Sequence, residues 1–163
     1  MTTLSNVLWG ALALGLVTGM RSTLAPTMTS RALAARDDID EANEPARTLA
    51  SHRAQQFLLP MAAGELLGDK MPFAPDRTIL PSMMFRAVSG GVTAAALASA
   101  RRQPIALPAL IGATAALVAS KVGLSLRKPY QSDPLVNAAL GLAEDCVALA
   151  IGNSGLRCAL GKR

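Results

Sequence analysis

A chain of 163 residues is the size of one ordinary domain, and residues 1–163 are read as a single folding unit. Apolar residues make up 51% of it, charged residues 17% and aromatic residues 3%, with a mean hydropathy of +0.34 and a net charge of +5. This excludes a disordered tail and, with two cysteines, a disulfide scaffold, which leaves an alanine-rich soluble helical protein or a small polytopic membrane protein.

The placement of the charges separates these two. Met1–Met20, Ala87–Ala100 and Gln103–Ser120 contain none. A soluble amphipathic helix needs a polar face, whereas these segments are apolar all round and approach the roughly 20 residues that cross a bilayer. The expected fold is therefore an all-α, polytopic membrane bundle of about five transmembrane helices. In chain order they are Leu4–Leu24, Gln55–Lys70, Leu80–Ala100, Ile105–Leu124 and Pro134–Asn153. The second is short and carries Pro60, so it is predicted to be kinked or re-entrant. Arg101–Pro104 forms a tight basic turn between the third and fourth spans, and Asp133–Pro134 opens the fifth as a cap and first-turn pair.

Between the first two spans lies a polar stretch, Ser30–Arg53, with five acidic residues among its arginines. It is predicted to be a solvated cytoplasmic loop with some helix. A cleavable signal peptide is not expected, because no Lys or Arg precedes Arg21.

Arg31, Arg36, Arg47, Arg53, Arg101, Arg102, Arg157, Lys162 and Arg163 gather on one side of this arrangement, against Arg77, Arg127 and Lys128 on the other. The positive-inside bias makes the first side cytoplasmic. Five crossings then put the N-terminus outside and the C-terminus in the cytoplasm. The lipid bilayer is the expected partner. Nucleic acid is not, since a basic face with aromatic platforms is missing. The five aromatic residues, Trp9, Phe57, Phe73, Phe85 and Tyr130, suit an interfacial belt.

Small residues recur at four-residue spacing: Gly15 and Gly19; Gly64 and Gly68; Ala87, Gly91 and Ala95; Gly112, Ala116 and Ser120. Such strips let helix backbones approach in lipid, where burial of apolar surface drives little association. Packing within one bundle is their first expected use, and a homo-oligomer contact the second.

The ionisable residues in or beside the spans carry the functional interest. Glu65, Asp69, Glu144 and Asp145 are candidate ion or proton sites, and Arg21, Lys70, Arg86 and Lys121 are their candidate charge partners. Two unpaired acids at the centre of the fifth span would cost about 5 to 7 kcal/mol on the insertion scale. Its seven Leu, Val and Ile residues return about 2 to 4 kcal/mol. The acids are therefore expected to meet cations, protons or water inside the bundle. Glu65 and Asp69 share a helix face, and Glu144 and Asp145 point about 100° apart, so one of the latter two is expected to meet a basic side chain and the other something else. The pairs Arg21 with Glu65 and Lys121 with Glu144 also suggest an inverted repeat of two helix pairs.

No catalytic or metal signature accompanies them. His52 is expected to be a solvated side chain, Cys146 a small core residue, and Cys146 and Cys158 too few and too far apart for a zinc site. Serines without a histidine partner give hydrolase chemistry no support. No enzymatic activity, metal or cofactor is expected.

The blocks "GLVTGMRSTLAP" at Gly15–Pro26, "AGELLGDKMPFAPDRT" at Ala63–Thr78, "RAVSGGVTAAAL" at Arg86–Leu97 and "DPLVNAALGLAEDCVAL" at Asp133–Leu149 resemble the bacterial membrane-protein family catalogued as domain of unknown function 4126. The resemblance covers nearly the whole chain outside the acidic loop. It implies a small integral protein of the bacterial cytoplasmic (inner) membrane and supplies no reaction. From the charges, the expected function is that of a transporter or channel-like protein with an intramembrane polar site. The alternative is a membrane scaffold or assembly subunit in which the same charges fix packing.

Overall fold

Pro26 weighs against one unbroken helix through residues 4–34. A helix continuing from residue 4 through Pro26 would lose a hydrogen bond there and drive the proline ring into the carbonyl of Ser22, four residues back. In the computed structural model, which describes residues 4–68, 80–127 and 134–161, the helix stops before that point. Helix α1 covers Leu4–Met20, the chain breaks at Arg21–Thr23, and α2 covers Leu24–Ala34 with Pro26 harmless in its first turn. A short 3-10 turn, Ile39–Glu41, precedes α3 (Ala46–Ala50) and α4 (His52–Gly68). Then come α5 (Leu80–Ala100), α6 (Ala106–Arg127) and α7 (Pro134–Leu160). Among the described residues there is no strand.

The helix faces fix the directions. A Cβ on Gly10 would meet Ala159, and one on Gly155 would meet Ala13, so α1 and α7 are antiparallel. Gly15 and Gly19 sit against Gly112 and Ala116, so α1 and α6 are parallel, whereas Gly90 and Gly112 face one another across antiparallel α5 and α6. Helix α2 turns back: Met28 lies beside Gly152 and Val17, and Ala32 and Ala35 share a groove with Leu156 and Leu160. Thr27 then donates to the Leu58 carbonyl, and Glu65 reaches residues 22 and 23, so α4 returns alongside α2 in the opposite direction.

Three expectations change as a result. The expected span Leu4–Leu24 ends as a helix at Met20, and a shorter returning helix, Leu24–Ala34, follows it and runs into the stretch expected to be a polar loop. Because α2 brings the chain back, the start of α1 and the end of α7 lie at the same end of the bundle, and the expected N-out, C-in arrangement of an odd number of crossings is not what the helices make. Because α1 and α6 are parallel, the pairs α1/α4 and α6/α7 are not inverted copies. By length and composition, two described helices, α5 and α6, could cross a membrane, and α1 is apolar but 17 residues long. Five spans are therefore not established.

Helix α5 occupies the expected residues, α6 starts and ends slightly later, and α7 runs on past Asn153 to Leu160. Helix α4 begins at His52 and is continuous through Pro60. The basic turn holds: Gln103 N–H donates to Ala98 O and Arg102 N–H to Ser99 O, with Arg102 at φ 53°. The predicted polar loop is more folded than expected. Ser30 is fully buried and donates to Leu49 O at 2.6 Å, Ser99 donates to Asn43 O at 2.5 Å, and Leu33, Ala46, Leu49 and Ala96 form a small core beneath it.

Packing is through small residues, as expected. A Cβ on Gly15 would stand 2.5 Å from Gly112 O, so only glycine permits this approach. On α5 the closest contact is made by Gly90 and not by the predicted Gly91. The interior is built from Ala, Gly, Thr and Ser with a few Leu and Val, while Trp9 (63% exposed), Phe57 (71%), Leu110, Val118 and Leu126 face outwards. Cys146, expected in the core, is exposed, because α7 turns Gly141, Ala148 and Gly152 inwards.

Candidate functional site

The break between α1 and α2 leaves the last carbonyls of one helix and the first N–H groups of another without helical partners. Each end of this joint is satisfied by a charged side chain from a different helix. At the α2 end stands Glu65 of α4. Its Oε1 accepts the Ser22 N–H at 2.7 Å and the Ser22 hydroxyl at 2.7 Å. Its Oε2 accepts the Thr23 N–H at 2.9 Å and the Thr23 hydroxyl at 2.6 Å. A carboxylate at a helix N-terminus is favoured by both the exposed donors and the helix dipole. Four donors aimed at two oxygens is the arrangement of an ionised carboxylate, since a carboxylic acid proton would point at one of them.

At the α1 end stands Arg86 of α5. Its Nη1 donates to Gly19 O at 2.7 Å and to Thr18 O at 3.3 Å, a cation at a helix C-terminus. Ser120 of α6 also donates to Gly19 O, at 3.2 Å, and Ser89 of α5 donates to Ser22 O at 2.7 Å. The two caps face each other, with Arg86 Nη2 3.9 Å from Glu65 Oε1. Beside them Arg21, 1% exposed, donates from Nε to Asp145 Oδ1 at 2.6 Å.

The joint lies inside the bundle. Arg86 is six residues in from Leu80, Ser120 seven back from Arg127 and Asp145 eleven in from Pro134, so it sits about 9 to 17 Å below that end at 1.5 Å per residue. Burial there makes each pair matter: removing one partner strands the other charge in a poorly solvated place.

Of the eight predicted site residues, five converge. Arg21, Glu65, Arg86 and Asp145 form the joint, and Glu144 lies alongside, its Oε1 3.5 Å from where a Cβ on Gly123 would stand. Asp145 meets Arg21, and Glu144 lies near Gly123 of α6. Lys121 is exposed on α6 and is not brought to the joint. Asp69 and Lys70 lie outside the described residues. Sequence reasoning missed Ser22, Thr23, Ser89 and Ser120. The signal for the first two was present: a Ser-Thr pair four and three residues before a proline marks a helix start. Ser89 and Ser120 gave none, because only the helix pairing turns them towards backbone carbonyls.

Away from the joint, a groove of about 810 Å³ at the opposite end is lined by Ala32, Arg36, Asp37, Asn153 and Arg157 among others. His52 is exposed, with its ring 3.2 Å from the Gln56 amide, as expected of a solvated side chain. Among the described residues no group of three His, Cys, Asp or Glu is placed to hold a metal ion. No family model, curated protein or solved structure matches the chain.

Proposed function

We propose that the protein is a multi-pass protein of the bacterial cytoplasmic membrane, of transporter or channel-like type, whose polar centre is the joint between α1 and α2. The membrane part is supported by the inverted distribution of side chains. Large apolar residues point outwards from α1, α4, α5, α6 and α7, while the interior is mostly small residues with a few Leu and Val and several buried hydroxyls and charges, unlike a bundle that gathers its large apolar side chains inside to exclude water. The start of α1, the end of α7 and the basic residues Arg36, Arg102 and Arg157 share one end, which we place in the cytoplasm. Membership of the family that the four sequence blocks resemble belongs to the same proposal.

One observation carries the transport part: a broken helix buried within the bundle, with both free ends at charged side chains from other helices. Irregular backbone at such depth is tolerated where it is buried in protein or lines a pathway, and half-helix ends are recurrent ion-binding elements of transporters. The test is ion flux in proteoliposomes with Glu65→Gln and Glu144→Gln made separately. Loss of flux in variants that remain folded supports the proposal. Unchanged flux in both, or loss in proportion to lost stability, removes it.

The scaffold alternative has its own support. All four donors of residues 22 and 23 are used by Glu65, and Arg21 is closed on Asp145, an arrangement sufficient to fix helix register. It requires the two variants to lose stability and assembly with no separate effect on flux.

A further inference from the structure

The groove at the end of the bundle opposite the joint has a volume of about 810 Å³, within the range that takes a small ligand. Its floor is apolar, from Ala32 of α2 and Leu156 and Leu160 of α7, and its rim is charged. Of the four charged side chains that line it, Arg36 and Asp38 are joined to each other through two hydrogen bonds. The other two, Asp37 and Arg157, are exposed, and their side chains make no ion pair or hydrogen bond with another described residue. One groove therefore carries an anion and a cation that do not meet. A ligand that answers both must carry both signs itself, and since the four lining charges sum to zero, the groove favours one with no net charge.

Depth puts these groups in order. Asp37 lies three residues past the end of α2, on the outer lip. Arg157 is three residues before the end of α7, and Asn153 is one turn further in, about 6 Å at 1.5 Å per residue. Asn153 is exposed too, and its amide has no partner among the described residues. From water inwards the groove thus offers a carboxylate, a guanidinium and an amide. Beyond them the outward face of α7 turns apolar with Leu149, Val147 and Leu142, the change expected where a helix enters a bilayer.

A phospholipid with an ethanolamine headgroup presents its groups in the same order: an ammonium, a phosphate, then ester carbonyls above the acyl chains. We infer that the groove seats one ethanolamine phospholipid of the adjoining leaflet. Its ammonium meets Asp37, its phosphate meets Arg157 and an ester carbonyl accepts from the Asn153 amide, with the first acyl carbons over Leu156 and Leu160. An anionic headgroup would bring its charge beside Asp37 and Asp38 with no cation of its own. A choline headgroup has no N–H to donate to Asp37. The seat rests on the membrane part of the proposal above, since it takes its lipid from a bilayer, and it is independent of transport.

The test follows the thermal midpoint of the protein in detergent as dioleoyl lipids are added at equal mole fraction. Phosphatidylethanolamine is expected to raise the midpoint saturably by about 2 to 4 °C, the scale of a ligand present well above its dissociation constant. Phosphatidylcholine should give less than half of this, and phosphatidylglycerol no more than phosphatidylcholine. Asp37→Asn should bring the ethanolamine response down to the choline level, and Arg157→Gln should abolish both. Each position is exposed, so both variants are expected to fold. The Asp37→Asn arm decides alone if Arg157→Gln does not. Equal responses to the ethanolamine and choline lipids, a larger one to phosphatidylglycerol, or an undiminished ethanolamine response in either folded variant overturns the seat. Washing membranes with alkaline carbonate separates this failure from that of the membrane reading. Release of the chain into the wash removes that reading and the seat with it, whereas retention without an ethanolamine preference removes the seat alone.

Discussion

Arginine meets carboxylate at both ends of this molecule, under opposite conditions. At the joint, Arg86 and Arg21 are almost completely buried and face Glu65 and Asp145. At the other end, Arg102 pairs with Glu41 at 3.0 Å with both side chains more than half exposed, and Arg36 grips Asp38 through two nitrogens. The chemistry is the same, yet the consequences differ because water competes only at the second. In the exposed Arg102–Glu41 pair, hydration stabilises each charge separately and little depends on their meeting, while the pair of Arg36 (17% exposed) with Asp38 (55%) is intermediate. In the buried set, each charge depends on its partner and on the helix ends that it caps. A buried network of this kind specifies where α1 stops, where α2 starts and which helices must surround them.

The largest effect should come from breaking the joint. Arg86→Ala removes the cap of α1 and leaves Glu65 without its cation, and is expected to cost about 3 to 5 kcal/mol in denaturant unfolding in detergent. Arg86→Lys should recover only part of this, since one ammonium cannot reproduce the guanidinium fork. A loss below about 1 kcal/mol for Arg86→Ala would place the joint in the same class as the exposed pairs.

The next effect tests whether the bundle that buries the joint depends on close backbone approach. Gly15→Ala would put its Cβ 2.5 Å from Gly112 O and is expected to cost about 1 to 3 kcal/mol by overpacking. Gly64→Ala meets nothing and should be neutral or stabilising by up to about 1 kcal/mol, from helix propensity alone. Equal effects at both positions, read as thermal midpoints, would contradict the helix pairing described above.

At the exposed end, Arg102→Ala should change stability by less than about 1 kcal/mol, and the change should fall further in high salt. The smallest effect concerns pH. The hydrogen bonds from Arg36 hold the Asp38 carboxyl below the usual carboxylate range, assisted by the charge of Arg36. A lowered folded-state pKa gives stability that is present above the ordinary carboxylate value and lost as pH falls through the lowered one. Asp38 is 55% exposed, so this contribution is well under about 1 kcal/mol after solvent screening. It is best read as a titration shift by NMR, which should return towards the ordinary value in Arg36→Gln.

Much of this was legible in the residues. The long charge-free runs gave α5 and α6, the four-residue spacing of Gly and Ala gave the packing faces of α1 and α6, and the rarity of charge within apolar segments drew attention to Arg21, Glu65, Arg86 and Asp145. The break at Arg21–Thr23 was less visible, because a charge-free run of twenty residues dominates a hydropathy pattern and Pro26 lies after it. Once the break is missed, α2 becomes part of a loop and α1 is expected parallel to α7, whereas the two are antiparallel. The pairing of Arg86 with the end of α1 had no local sign at all, as the two lie 67 residues apart.

The sequence alone therefore determined that the chain is helical, that its helices pack through small residues, and which ionisable groups would be costly to bury. Those properties follow from local composition and spacing. Tertiary structure decided which charge meets which, that Glu65 caps a helix to which it does not belong, and that the start of α1 and the end of α7 share one side. These depend on helix direction and register, and the break at Arg21–Thr23 that turns α2 back resets both for everything that packs against it.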